Sequence, residues 1–481
     1  MKRSPLKLYR QMSPAVRTSV WFTLCNFLQR GTAFIVVPIF TRLLTTEEYG
    51  ICNVYFAWFE ILILFTSLKI PYEGLNNGLI RHEEDKNGYT SSMLGLIIVM
   101  TLGAGAVYCV FQPLIDQFIG LNSTIMLFMG LQLLFNPPLM LWTNRERFDF
   151  RYRWPVVVTL ISTVANPLIA VVAVLNTTYR AEARIISSAL VQTVFGLLVA
   201  ILLFGRGKCF YKKRYWKFAL HFNLPLMAYY LSQSLLNQSD RIIINFFEGS
   251  GKAAIYSVAY SAATLMLLLV SAINGSFNPW MYKKLKGGQH KEVGPMVSAL
   301  CLLIGSATLA LTAFAPDLVA VLATADYSEA VWIIPPVSAS VFFVFIYMMF
   351  ANVEMYYDEN NGIALISIIS AAANVILNAI FIPIYGYLAA GWTTLVCYVL
   401  LAGLHYVLMK RACKRHQVKE AIFPEKLVLG VSAAVVTLSL AMMGMYTLGP
   451  LRYLVLGIEA IVIFCLRGKL LRVLKQISKG A

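Results

Sequence analysis

Long runs of apolar residues constrain this chain more than any other feature of its sequence. Of its 481 residues, 59% are hydrophobic and only 13% are charged, whereas soluble proteins carry roughly 25% charged residues. The runs approach the length of about 20 residues with which an α-helix crosses a bilayer. Because backbone groups in lipid must pair within their own segment, such runs predict helices. The sequence therefore predicts an all-α polytopic membrane protein.

The positions of these runs predict fourteen transmembrane helices. The spans lie at about 17–41, 49–68, 91–114, 122–143, 155–175, 183–204, 218–243, 254–275, 294–315, 331–353, 361–383, 388–409, 427–446 and 450–467. We expect an N-terminal bundle of spans 1–6 at residues 1–205 and a C-terminal bundle of spans 7–12 at residues 206–415. Residues 416–481 would add two further helices, spans 13 and 14, and a basic tail.

A weak internal repeat agrees with two six-helix bundles. ISTVANPLIAVV begins at Ile161 and ISAAANVILNAI begins at Ile369, an offset of 208 residues. GICNVYFA from Gly50 and AIYSVAYSA from Ala254 are about 204 residues apart. Copies of six spans share one orientation, and transporters built from such parallel repeats bind substrate at the repeat interface. We therefore expect a substrate site between the two bundles.

Basic residues are distributed unevenly between the two predicted sides of the membrane. Of the 40 Lys and Arg residues, 33 lie at the termini or in every second connection, 5 lie in the other connections, and Arg30 and Arg241 lie inside spans. Cytoplasmic segments are rich in Lys and Arg, so both termini are predicted to be cytoplasmic. The same rule accounts for the net charge of +17, and nucleic acid is not an expected partner.

Several classes of function are disfavoured by what the sequence lacks. The eight cysteines form no CxxC pair and the five histidines are scattered, so no metal site or bound cofactor is predicted. The outer connections are short, and no GxxxxGK[ST] phosphate loop occurs. An enzyme is therefore not expected. The first apolar run is too long for the apolar region of a signal peptide, so no cleavable signal is predicted.

Polar residues inside spans are the candidates for function. Arg30 lies near the middle of span 1, where Asn26 is one helical turn away on the same face and Gln29 is adjacent. A polar face in lipid must contact protein or water. Arg30 is thus a candidate for binding a phosphate group in a polar lumen, and a structural bond to a carbonyl or carboxylate is the alternative.

Span 7 carries a polar stripe near its end. Gln233, Asn237 and Arg241 follow one another at intervals of four residues and so share a helical face. Asp240 is adjacent to Arg241 in the chain but points about 100° away. The stripe is either part of the polar path for substrate or the site of an ion pair at the helix end.

Three in-span carboxylates are candidates for coupling or gating. Glu60 lies midway along span 2, and its alternatives are pairing with Arg30, proton carriage or contact with a sugar hydroxyl. Asp240 ends span 7, and Glu354 lies deeper in span 10 than Asp358. A proton or a sodium ion would be the coupling ion, and the sequence does not choose between them.

Three segments together resemble Wzx-type flippases of the multidrug/oligosaccharidyl-lipid/polysaccharide exporter superfamily. They are PIFTRLLTTEEYG at 38–50, SDRIIINFFEGSGKAAIYSVAYSAA from Ser239, and NVILNAIFIPIYGYLAAGWTT from Asn374. Arg81, in NGLIRHEEDK, also lies where these proteins often have an Arg before acidic residues. The likeness extends over most of residues 15–410.

This resemblance implies fourteen helices in the inner membrane of a bacterium. It implies a central cationic cavity that opens alternately to each side and flips an oligosaccharide, such as an O-antigen unit, linked to undecaprenyl diphosphate. Arg30, Arg241 and Arg81 would then contact the substrate. Membrane lipids and polysaccharide polymerase machinery are candidate partners. The alternatives are a cation-coupled drug exporter of the same superfamily and a peptidoglycan-precursor flippase.

Overall fold

The computed structural model describes residues 13–418, 420–454 and 457. Within this part of the chain the regular structure is helical, with sixteen α-helices and no strand. The first eight are α1 Pro14–Leu43, α2 Thr46–Ser67, α3 Leu75–Arg81, α4 Lys86–Ile119, α5 Ser123–Phe148, α6 Arg153–Leu175, α7 Arg180–Gly207 and α8 Lys213–Asn223. The others are α9 Met227–Glu248, α10 Ser250–Lys286, α11 Val293–Ala313, α12 Ala315–Leu322, α13 Ile334–Tyr356, α14 Asn360–Tyr385, α15 Ala389–Arg415 and α16 Glu425–Met445.

Twelve helices of the described part are long and apolar enough to cross a membrane: α1, α2, α4, α5, α6, α7, α10, α11, α13, α14, α15 and α16. They coincide with twelve of the fourteen predicted spans, which confirms the all-α polytopic fold. Most of predicted span 14, at 450–467, lies outside the described residues.

Predicted span 7 differs from the expectation of one continuous helix over 218–243. The segment forms α8, a 3₁₀ turn at Leu224–Leu226, and α9. Pro225 lies in the turn and supplies no backbone N–H, so the α-helical hydrogen-bond ladder is interrupted there. The apolar stretch therefore spans two helices, and α9 is too polar to count among the twelve.

The turn in the first motif, PIFTRLLTTEEYG, is a helix boundary built by its own side chains. The Thr45 Oγ1 accepts a hydrogen bond from the Glu48 N–H at 3.2 Å, and Glu48 Oε2 accepts one from the Thr45 N–H at 2.8 Å. This reciprocal capping box satisfies two N–H groups that the start of a helix leaves unpaired. TTEE thus sets where α2 begins and fixes the corner between α1 and α2.

The chain divides into two compact units after Ser234, within α9. In unit 1, α5 and α6 each pack along α7; in unit 2, α13 and α14 each pack along α15. This common pattern pairs α6 with α14, the two helices that carry the repeated segments at Ile161 and Ile369. A duplicated bundle would give the same pattern, while the predicted boundaries at 205 and 415 stay predictions.

Candidate functional site

A polar groove of about 300 Å³ lies in unit 1 between α1, α2, α6 and α7. Its polar lining consists of amides, hydroxyls and one guanidinium: Gln29, Thr32, Thr163, Asn166, Arg184, Ser188 and Gln192. Pro167 of α6 lies beside Asn166 in the same wall. Such a lining offers donors and acceptors for a polyhydroxylated ligand and one fixed positive charge for an anion.

Hydrogen bonds hold the groove amides in fixed orientations. Asn166 Nδ2 donates to Ser188 Oγ at 3.1 Å, which joins α6 to α7. Gln192 Oε1 accepts bonds of 2.8 Å from Gln132 Nε2 and from Asn136 Nδ2 on α5. The groove is therefore backed by a buried amide network rather than by an apolar core.

Arg184 supplies the positive charge of the groove. Its guanidinium carbon lies 3.9 Å from the centre of the Phe40 ring and 5.1 Å from that of Tyr49. Its Nη1 atom is buried and has no hydrogen-bond partner among the described residues. An Arg held between aromatic rings with an unused donor is arranged to bind an anionic group.

The predicted residues of span 1 differ in whether they line the groove. Gln29 lines the groove, whereas Asn26 and Arg30 do not. All three side chains are exposed in the structure. Arg30 makes no hydrogen bond or ion pair with another described residue, and it is not paired with Glu60. Glu60 on α2 is likewise exposed.

Arg81 lies away from the groove, at the last residue of α3. Its side chain is exposed, and its guanidinium carbon is 5.1 Å from the centre of the Phe218 ring on α8. The structure thus places Arg81 against an aromatic residue at the end of a short helix, apart from Gln29 and the groove.

Unit 2 contains a second polar site around Asp240 of α9, which is 1% exposed. The carboxylate accepts hydrogen bonds from the Tyr256 hydroxyl, from Asn378 Nδ2 at 2.5 Å, and from Thr394 Oγ1 at 2.9 Å. These donors come from α10, α14 and α15. No Lys or Arg pairs with this carboxylate among the described residues, so its partners are all neutral.

Asparagines of α14 extend the Asp240 site. Ser239 Oγ donates to Asn374 Oδ1 at 2.8 Å, and Thr393 Oγ1 donates to Asn378 Oδ1. Both asparagines are fully buried, and Asn374 Nδ2 has no partner among the described residues. The two asparagines thus join helices by hydrogen bonds. The site presents several oxygens around one carboxylate.

Arg241 and Asn237 belong to a neighbouring set of contacts. Arg241 Nε donates to Ser257 Oγ at 3.1 Å, and its Nη1 donates to Gln238 Oε1 at 2.6 Å and to the Asn237 carbonyl at 3.1 Å. The guanidinium also lies over the Tyr260 ring at 4.6 Å, and Asn237 Oδ1 accepts a bond from the Tyr260 hydroxyl at 3.1 Å. Arg241 is thus occupied by protein groups and forms no ion pair with Asp240.

Glu354 forms a buried pair that the sequence did not reveal. Its Oε2 lies 2.7 Å from His405 Nδ1 on α15, and the two residues are 0% and 1% exposed. Glu354 Oε1 has no hydrogen-bond partner within the described chain. The scattered histidines of the sequence give no sign of this pair, because 51 residues separate two partners that only helix packing brings together.

Arg184 is the main candidate residue that hydropathy and charge counting do not single out. Position 184 is at the very start of the predicted span 183–204, whereas in the structure Arg184 lies in the second turn of α7, which begins at Arg180. A usable signal existed, because Arg184, Ser188 and Gln192 recur at intervals of four and line one groove. The same spacing defines the polar stripe of Gln233, Asn237 and Arg241 in span 7.

The sequence of this chain is similar to one protein family and to one bacterial relative. A family model described as "Polysaccharide biosynthesis protein" matches residues 15–284, more than half of the chain. An uncharacterized membrane protein of Haemophilus influenzae is 22% identical over 271 residues, which are 54% of this chain and 63% of that relative. The chain thus spans less than two thirds of the relative's length.

Solved structures share the fold at low identity. A lipid II flippase, MurJ, in an inward closed conformation is 13% identical with a TM-score of 0.71, covering 93% of this chain and 99% of that chain. An inward-facing multidrug resistance transporter of the MATE family and the MOP superfamily is 14% identical with a TM-score of 0.57, covering 82% and 96%. The chain therefore has the fold of this transporter superfamily.

Proposed function

The chain belongs to the polysaccharide biosynthesis protein family, and we propose that it flips an oligosaccharide linked to undecaprenyl diphosphate from the cytoplasmic to the outer leaflet. The fold of a multi-pass membrane transporter supports transport rather than catalysis. The proposed route is alternating access, with the sugar and diphosphate carried through a polar, cationic path while the lipid tail stays in the bilayer. A bacterial inner membrane with both termini cytoplasmic is the proposed location.

The groove around Arg184 is the observation that carries this proposal. A diphosphate cannot enter hydrocarbon unpaired, since burying an isolated charge there is very costly. The guanidinium of Arg184, with its free Nη1, matches phosphate oxygens. The amides of Gln29, Asn166 and Gln192 in the same groove suit sugar hydroxyls. A lipophilic cation would find no negatively charged partner in this groove.

We further propose that Asp240 binds the coupling ion. Its carboxylate is buried among neutral donors and hydroxyl and amide oxygens, without a Lys or Arg partner in the described chain. A buried carboxylate in that position requires a proton or a cation to balance its charge. A sodium ion would be coordinated by these oxygens, and a proton would bind the carboxylate itself. Because the same residues serve both ions, transport assays with imposed sodium and proton gradients distinguish them.

Two alternatives keep specific support. A peptidoglycan-precursor flippase would use the same diphosphate chemistry with a different sugar, and Arg184 serves both equally. A cation-coupled drug exporter is favoured by the buried carboxylates Asp240 and Glu354. The exporter would take an organic cation, for which the positive charge of Arg184 is unfavourable.

Proteoliposomes that hold the purified chain test the proposal directly. A fluorescent undecaprenyl-diphosphate oligosaccharide is added, and an external quencher reports the label that reaches the accessible leaflet. We expect transport by the wild type and not by protein-free vesicles. Parallel assays with a lipid II analogue and with a cationic dye separate the two alternatives. Transport of the dye alone would refute the flippase.

A further inference from the structure

We propose that a basic surface beside α8 binds anionic phospholipid headgroups. The surface comprises Lys208, Lys213, Arg214 and Lys217, which follow the end of α7. All four side chains are exposed. This inference concerns the lipid around the protein and does not depend on the transported cargo.

One face of α8 is fixed firmly to unit 1. Trp216 Nε1 donates hydrogen bonds to the Ser92 carbonyl at 3.0 Å and to Ser92 Oγ at 3.1 Å on α4. The Tyr215 hydroxyl donates to Asp85 Oδ2 at 2.8 Å, and the Tyr215 ring is 2% exposed. The segment before α8 is fixed too, because Ser91 Oγ donates to the Cys209 carbonyl at 2.9 Å. The helix therefore presents its other face in a set orientation.

Neighbouring cations show that the four are a separate group. Lys212 lies 3.5 Å from Asp85, and Arg206 lies 3.0 Å from Glu146. By contrast, the charged side-chain groups of Lys208, Lys213, Arg214 and Lys217 form no ion pair or hydrogen bond with any residue that the structure describes. No Asp or Glu occurs in the chain between Glu182 and Asp240. These charges are left for a ligand outside the protein.

Aromatic side chains at the same surface fit a position at the lipid boundary. Phe210 and Tyr211 are 48% and 58% exposed, directly after the membrane-spanning α7. Tyr211 is held edge-on against Trp216 with ring centres 4.8 Å apart. Exposed aromatic rings beside Lys and Arg are typical of segments that lie at the headgroup level. The surface therefore fits the phosphates of a bilayer better than an acidic protein.

The test measures lipid binding to the full-length purified chain by native mass spectrometry. Short-chain phosphatidylglycerol is titrated in detergent, with phosphatidylcholine as the uncharged comparison. The variant Lys213→Gln/Arg214→Gln/Lys217→Gln removes three charges from the surface. The control Arg411→Gln/Lys414→Gln/Lys426→Gln removes three exposed charges elsewhere. Lys217→Gln alone serves if the triple variant is poorly folded.

We expect the wild type to bind phosphatidylglycerol more tightly than phosphatidylcholine. Each nearby cation contributes about fivefold to such binding, so the loss of three should weaken binding about 100-fold. The control should retain wild-type affinity. Equal affinity of the triple variant and the wild type would overturn the proposal. Displacement by inorganic phosphate, or binding of undecaprenyl phosphate but not phosphatidylglycerol, would overturn it as well. None of these results depends on whether transport succeeds.

Discussion

The guanidinium groups of Arg30, Arg184 and Arg241 have different surroundings. Arg241 bonds to Ser257, Gln238 and the Asn237 carbonyl, so its Nε and Nη1 atoms already donate to protein groups. The side chain of Arg30 is exposed and forms no hydrogen bond or ion pair with a described residue. Arg184 alone among the three combines a defined aromatic cage with a buried donor that is unpaired. Its position makes it the strongest candidate for binding a phosphate.

The first prediction concerns Arg184. Replacing Arg184 with Ala should slow flipping about 10- to 100-fold, because a hydrogen bond to a charged group contributes about 1.5–3 kcal/mol. The matched control is Arg180→Ala, one turn earlier on α7, where Nη1 bonds only to the Leu43 carbonyl at 3.3 Å. The quencher assay measures both. Equal rates for the two variants would remove Arg184 from the substrate path.

A second prediction concerns Asp240. In Asp240→Asn, the new amide NH₂ faces a hydrogen-bond donor, either Asn378 or Thr394. Because two donors then face each other, the free energy of unfolding should fall by about 1–3 kcal/mol. The variant should also lose the dependence of transport on the coupling ion. Rates are measured with imposed sodium and proton gradients in turn. Glu329→Gln, at an exposed ion pair with Lys252, is the control. Retained ion dependence in Asp240→Asn would contradict the coupling role.

The sequence predicts which polar residues lie inside membrane spans, but it does not predict which neighbouring helix each side chain faces. The polar residues Gln29, Asp240 and Glu354 stand out in apolar runs, and each contributes to a defined polar feature of the structure. Depth in the membrane favoured Arg30 over Arg184, because hydropathy shows how far along a helix a residue lies but not which helix it faces. His405 likewise gave no signal, since its partner comes from another helix.

At the scale of elements, the two units carry different chemistry at repeat-related positions. Asn166 of α6 and Asn374 of α14 are separated by the 208-residue offset of the repeat. Asn166 bonds to Ser188 in the groove, and Asn374 bonds to Ser239 beside Asp240. One site contains a cation and the other an anion. Duplicated scaffolds with divergent polar groups fit separate roles, one for an anionic headgroup and one for a coupling ion.

Close packing of α5 and α7 gives a third prediction. A Cβ at Gly196 would lie 1.8 Å from the backbone carbonyl oxygen of Phe135, so α7 approaches α5 closely there. Gly196→Ala should force the helices apart and lower the free energy of unfolding by about 1–3 kcal/mol. Gly205→Ala on the same helix, where no atom lies within 4 Å, should be neutral or stabilising. Melting temperatures in detergent measure both, and equal values would contradict the packing.

The elements show where hydropathy is a sufficient guide and where it is not. Twelve apolar runs became twelve membrane-length helices because length and apolarity are local properties. The segment at 218–243 combines a proline break with the polar residues Asn237 and Asp240. Its boundaries depend on tertiary contacts of α8 with α4 and of Asp240 with α14, which hydropathy does not register.

At the scale of the whole molecule, the proposed function needs a defined orientation. The direction of flipping is defined only when it is known which end of the protein faces the cytoplasm. The prediction rests on charge, because 33 of the 40 Lys and Arg residues lie on one predicted side. The fold itself does not fix orientation, since an inverted bundle would bury the same helices.

The fourth prediction tests that orientation by cysteine labelling in cells. Exposed Cys109 is first replaced by Ser, and single changes Thr178→Cys and Gln289→Cys are then introduced at exposed positions between α6 and α7 and between α10 and α11. A membrane-impermeant maleimide should label Thr178→Cys in intact cells and Gln289→Cys only after permeabilisation. Lys283, Lys284, Lys286 and Lys291 surround the second position, and moving this cluster across the membrane is unfavourable.

The reverse labelling pattern would show that the protein is inserted in the opposite orientation. The basic surface of α8 would then lie against the outer leaflet. Arg184 and Asp240 would keep their contacts, because both sites lie within single units. The direction of transport would nevertheless have to be reassigned, since the coupling ion would then enter its site from the opposite compartment. Labelling of both positions in intact cells would instead indicate that the membrane was leaky, and a cytoplasmic marker protein labelled in parallel detects that case.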